Sequence, residues 1–186
     1  MSAAISHVPK QNLRMKFCFT FLILISSFIA VGQNTFVDRN PKVLEYVKYV
    51  NNLTDTTMVV LQNGNFTSKS YDGGSKLTGV FFNNELIKIT SWFGLSYGIN
   101  SCDYYIKDGD LLVVEENFRG YDFNHATKQY DYSQVHIGAN GWYVFKSGLL
   151  IDAASLGHWR FEDDSIDSEI QLILEFKAYT TLLTKN

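Results

Sequence analysis

Four rhythms of apolar residues divide the chain. From Phe17 to Val31 the run FCFTFLILISSFIAV carries no charge at all. Next, Leu44, Val47 and Tyr46, Val50, Leu53 recur at three- and four-residue spacing, which predicts a helix from about Pro41 to Asn52. Asn40-Pro41 supplies its entry, because asparagine caps well and proline at the first helical position sacrifices no hydrogen bond. Between Thr54 and Gly74 the rhythm is ambiguous: Met58 to Leu61 fits either a strand or more helix, and Asn63-Gly64 and Asp72-Gly73-Gly74 are turn signals.

From Lys76 the pattern becomes a series of hairpins. Leu77–Phe82 turns at Asn83-Asn84 into Leu86–Ile89, Asp103–Ile106 turns at Asp108-Gly109 into Leu111–Val114, and Trp142–Phe145 turns at Ser147-Gly148 into Leu149–Ile151. Superposing the turns aligns Phe81, Ile106 and Phe145, then Asn83, Asp108 and Ser147, then Leu86, Leu111 and Leu150. The repeat is irregularly spaced, so no solenoid or propeller is expected. The extra residues fall in a polar, tyrosine-rich connection, Asn117 to Gln134. The fourth rhythm is a stripe of Ile166, Ile170, Ile173, Leu174, Phe176, Tyr179 and Leu183 with acids before it and lysines late, which predicts a helix from Ser165 to Leu183. The expected fold is α+β: an N-terminal helix, an antiparallel meander of about six strands in three hairpins, and a C-terminal helix packed on the sheet.

The succession Gly73-Gly74, Leu77-Thr78-Gly79, Trp92-Phe93-Gly94-Leu95-Ser96-Tyr97-Gly98, Tyr104-Tyr105-Ile106 and Gly157-His158-Trp159-Arg160-Phe161-Glu162-Asp163-Asp164 resembles a group of uncharacterised exported bacterial proteins with repeated Tyr-Tyr-Phe-x-x-Gly-x-Leu hairpins. The likeness runs from Gly73 to Leu183. It implies a hairpin-built exported domain and carries no activity and no functional residue.

The first rhythm has its own meaning. Lys10, Arg14 and Lys16 precede the apolar run and Ala30-Val31-Gly32 ends it, the plan of a signal peptide over residues 1–32, with Met15 as an alternative start. A membrane span would need ~20 apolar residues. Cleavage before Gln33 leaves a single domain, 33–186, that is periplasmic or extracellular and has no stable membrane span. It also leaves 13 basic against 19 acidic residues, a net charge of −6, which disfavours nucleic acid. Cys18 departs with the leader, so Cys102 remains alone and packing replaces disulfides.

Candidate chemistry is sparse. Gly94-Leu95-Ser96-Tyr97-Gly98 matches the G-x-S-x-G elbow of α/β-hydrolases, but strand-like sequence follows it where the elbow needs a helix. Cys102 with His125, His136 or His158 would make a thiol nucleophile and base if the fold brought them together. No histidines stand at zinc-ligand spacing, and Glu162, Asp163, Asp164, Asp167 and Glu169, the best oxygen cluster for calcium, suit a helix start equally well. Glu115 and Glu116 alternate across a strand and so face apart, while Asp108 and Asp110 flank a hairpin glycine. No cofactor and no metal is expected.

Aromatic residues stand out: 28 of the 186, with Phe118, Tyr121, Phe123, Tyr130 and Tyr132 gathered in or beside the long connection. Such rings offer contact area at low entropic cost and enrich recognition surfaces. The leading expectation is a non-catalytic exported protein that binds a protein, peptide or glycan through these residues and the exposed sheet face. A small hydrolase using Ser96 or Cys102 is the competing expectation, and an inhibitor or immunity-type protein a third.

Overall fold

A computed structural model describes residues 35–157, 160–161 and 165–185. The expected leader, Met15, Cys18, His158 and Glu162 to Asp164 lie outside the described residues. The chain divides after Arg39 into two compact units. In the first, a single helical turn, Phe36–Arg39, is capped reciprocally: Thr35 Oγ1 donates to Asp38 Oδ2 at 2.7 Å and accepts from the Asp38 amide at 3.3 Å.

The second unit begins with helix α1, Pro41–Asn51, followed by strands β1 (Thr57–Gln62), β2 (Ser75–Phe82), β3 (Glu85–Leu95), β4 (Gly98–Lys107), β5 (Asp110–Asn124), β6 (Gln129–Lys146) and β7 (Leu149–Leu156), and ends with helix α2, Ser168–Thr184. All seven strands lie antiparallel in sequence order, a pure meander. One strand more than the six of the three hairpins is present, because Met58 to Leu61, which fitted either a strand or more helix, is the edge strand β1.

The three aligned turns share one geometry. Asn83 and Asn84, Asp108 and Gly109, and Ser147 and Gly148 all have positive φ, from 50° to 84°, the requirement of a type I′ turn whose twist matches the strands it joins. Phe81 pairs with Leu86, Ile106 with Leu111 and Phe145 with Leu150, and each pair sits beside a one-residue register shift. The sequence repeat is therefore a repeated bulged hairpin end. Bulges sharpen the strand twist, and all three hairpins bend at the same end of the sheet.

Helices cover both faces. Leu77, Ile89, Tyr104, Val114 and Phe145 project to one face and form the main core with Leu172 and Leu183 of α2. Tyr105, one residue on, faces the other way and bonds Asn51 at the end of α1. Val47 and Val50 are the buried residues of α1, and the Tyr46 hydroxyl donates to the Ile106 carbonyl. Asn40 precedes the helix as expected, but its side chain does not cap it; Nδ2 donates to Asp152 Oδ2 of β7 at 2.6 Å. In α2 the cap is Asp167, which accepts from the Ile170 amide at 3.1 Å. The expected stripe is partly misplaced, since Ile170 and Leu174 are exposed and the inner face runs Leu172, Phe176, Tyr179, Leu183.

Candidate functional site

The expected long loop is a β-ribbon. β4 stops pairing with β5 at Gly120, and β7 stops pairing with β6 at Asn140, so among the described residues Tyr121–Asn124 and Gln129–Val135 have only each other as ladder partners. The true loop is the short turn after Asn124, whose Oδ1 accepts from the Ala126 and Thr127 amides at 2.9 and 3.2 Å. The ribbon is tied to the sheet at its base, where the Tyr121 amide donates to the Tyr97 carbonyl at 3.0 Å.

Four rings share one face of this ribbon. Phe123 and Tyr130 pair directly across the strands with centroids 5.0 Å apart, and Tyr121 meets Tyr132 at 5.0 Å, both edge to face. Edge-to-face packing is the favoured arrangement of aromatic pairs and contributes about 1 kcal/mol beyond burial. Tyr132 remains 65% exposed, and Phe123, Val135 and Ile137 are exposed nearby. Phe118 does not belong to this set. It points to the opposite face, packs on Tyr97, and fills the space that a Cβ would need at Gly98 (2.8 Å) and Gly138 (2.8 Å). Phe118 is thus a structural ring at the root of the ribbon.

The other candidates are scattered. Ser96 and Tyr97 form the two-residue turn between β3 and β4, so the strand leads into another strand and no nucleophile elbow exists there. Cys102 is buried beneath α2, where burial first and Glu116 second push its thiol well above the ordinary range, the reverse of nucleophile activation. His125, in the turn at the ribbon's tip, meets Phe123 edge to face, and His136 Nε2, at the ribbon's base, lies 3.1 Å from Asp122 Oδ2. Asp108 sits in its turn, Asp167 caps α2, and Glu169 accepts from the Leu150 amide at 2.6 Å. Among the described residues no group of acids, histidines or cysteines is placed to hold a metal ion.

Glu115 and Glu116 do face apart, and their surroundings differ sharply. Glu115 shares the α1 side with Asp103 and Asn117, and burial raises its carboxyl. Glu116, only 2% exposed, lies under α2 in a charge cluster that sequence reasoning did not foresee. Arg160 reaches Glu116 Oε1 through Nε at 2.9 Å and forks onto Glu175 with Nη1 and Nη2 at 2.7 and 3.0 Å. Tyr104 and Gln171 also donate to Glu175, at 2.6 and 2.8 Å. Against the burial that opposes it, these donors hold the Glu175 carboxyl below its usual value. Glu116 is less well served. Desolvation pushes its pKa up to about 7 despite Arg160, and Oε2 has no hydrogen-bond partner among the described residues, although the Asn100 amide is near enough to favour the anion. A cavity of about 360 Å³ opens beside the cluster, walled by Phe66, Tyr71, Phe93 and Tyr179. The carboxylate that is short of donors lies behind Arg160 rather than on the cavity wall, so the cluster reads as a buried clasp between sheet and helix. A larger hollow of about 640 Å³ lies at the bent hairpin end between Tyr46 and Phe176.

What the fold and its surfaces define is an antiparallel meander clad by two helices, with an aromatic ribbon as its exposed feature. No known family, curated protein or solved structure matches the chain.

Proposed function

We propose that the protein is an exported, non-catalytic binding protein that grips a protein, peptide or glycan through the Tyr121, Phe123, Tyr130, Tyr132 face of its ribbon. The observation that carries this reading is the cross-strand ring quartet on a ribbon that, among the described residues, has no ladder partner beyond its own two strands. Rings already held against each other lose little rotamer freedom on binding, which lowers the cost of ordering an interface. The reading as a hydrolase lacks comparable support: Ser96 stands in a hairpin turn, and Cys102 is buried with a raised pKa.

Replacing all four ribbon residues by alanine is expected to abolish capture of the partner from a native extract while the circular dichroism spectrum stays unchanged. An unaltered set of captured partners refutes the ribbon as the binding surface.

A further inference from the structure

The sequence of β1 disagrees with its surroundings. Met58 to Leu61 reads MVVL, an unbroken apolar run of the kind found in strands covered on both faces. Val59 and Leu61 are covered, since they pack against the core under α2. Met58 and Val60 point the other way and are 65% and 46% exposed. Proteins guard edge strands with charge, proline or a bulge. Thr57–Gln62 has no ionisable residue and no proline, and it pairs with β2 without a register shift. The far edge is guarded, because β7 carries Asp152 and a shift beside Leu150.

The charge balance narrows the occupant of this edge. The chain is net acidic, with 19 acids against 16 basic residues, so two copies repel wherever charged surfaces meet. A charged partner finds no complement in β1, whereas an equally uncharged strand meets no penalty. The strand is also complementary to itself. A two-fold axis normal to the sheet keeps each face on its own side, so only registers that join like-facing residues are possible. Centred on Val59, the antiparallel register sets Met58 opposite Val60 twice on the exposed face and Thr57 opposite Leu61 twice on the helix side. Centred on Val60, it would set Val59 opposite Leu61, both already covered by the core, and leave exposed Met58 against polar Gln62.

We propose that β1 pairs antiparallel with β1 of a second copy of this chain, centred on Val59, merging two seven-stranded sheets into one. Six residues per copy bury less than the ~800 Å² per partner of a standard interface, so the dimer is weak, with a Kd on the order of 0.1–1 mM.

Sedimentation of the purified protein from 10 µM to 1 mM tests this, together with amide hydrogen exchange across the same range. Dimer at the upper end, with slowed exchange confined to Thr57–Gln62, is the expected result. Met58→Lys and Val60→Lys, made separately at exposed positions, each weaken association at least tenfold and leave the circular dichroism spectrum unchanged. A protein that stays monomeric throughout overturns the proposal. So does a dimer indifferent to both lysines, or protection of β1 that appears only when a foreign protein is added.

Discussion

At the residue scale the pH response of the fold centres on Glu116. Burial pushes its folded pKa up to about 7 from the ordinary 4.5, so between those pH values the folded protein holds a proton that the unfolded chain has released. Stability from this group is therefore present below pH 4.5 and lost as pH rises to about 7, a change of about 3 kcal/mol at most. Glu175 acts with the opposite sign. Its lowered pKa stabilises the fold above the ordinary carboxylate range, and that stabilisation is lost as pH falls through the folded value. Urea unfolding between pH 5 and 8 is expected to weaken less with rising pH in Glu116→Gln than in the native protein, the remaining slope including the raised Glu115 carboxyl; an unchanged slope contradicts the assignment. Phe118 offers a second residue-scale test, because its ring fills the hollows over Gly98 and Gly138. Phe118→Ala should cost about 3 kcal/mol, while Tyr132→Ala, at an exposed position, should cost only the ring pair it makes, about 1 kcal/mol, both read from urea midpoints.

At the scale of elements the hairpins were the legible part, since a type I′ turn asks two adjacent residues for positive φ and only a few residue types comply cheaply. Asn83-Asn84 and Asp108-Gly109 announce that demand by themselves. Ser147 meets it less comfortably, with φ at 53° on a residue that has no special tolerance for that region. Ser147→Asn is expected to stabilise the protein by about 0.5 kcal/mol in urea, and destabilisation would contradict the turn assignment. Elsewhere the rhythm misled for physical reasons. In β1, MVVL does not alternate, so period alone could not separate strand from helix. In the ribbon, Tyr121-Asp122-Phe123-Asn124 and Tyr130-Asp131-Tyr132-Ser133 do alternate as strands, but the polar residues Asp122, Asn124, Lys128 and Asp131 gave a loop-like composition that outweighed that period. The clasp was invisible for another reason: Glu116, Arg160 and Glu175 are brought together only by the packing of α2 on the sheet.

At the scale of the molecule, one face of the sheet is sealed by α2, the other is met by α1, and the aromatic ribbon stands apart from both. Export, an expectation from the leader-like pattern of residues 1–32, is part of the proposed function, and so is a binding role without chemistry. Burial shields Cys102, and Ser96 is exposed in a hairpin turn instead of at a strand-to-helix elbow; in the native protein a thiol-reactive probe should leave Cys102 unmodified until denaturant is added, and a serine-directed probe should not label Ser96. Native labelling of either would move the reading towards catalysis. The most direct measurement of the central claim is the hydrogen-exchange footprint of a captured partner on the native protein. Slowed amides at Tyr121–Asn124 and Gln129–Val135 are the predicted result; a footprint that spares the ribbon and falls on another surface would contradict it.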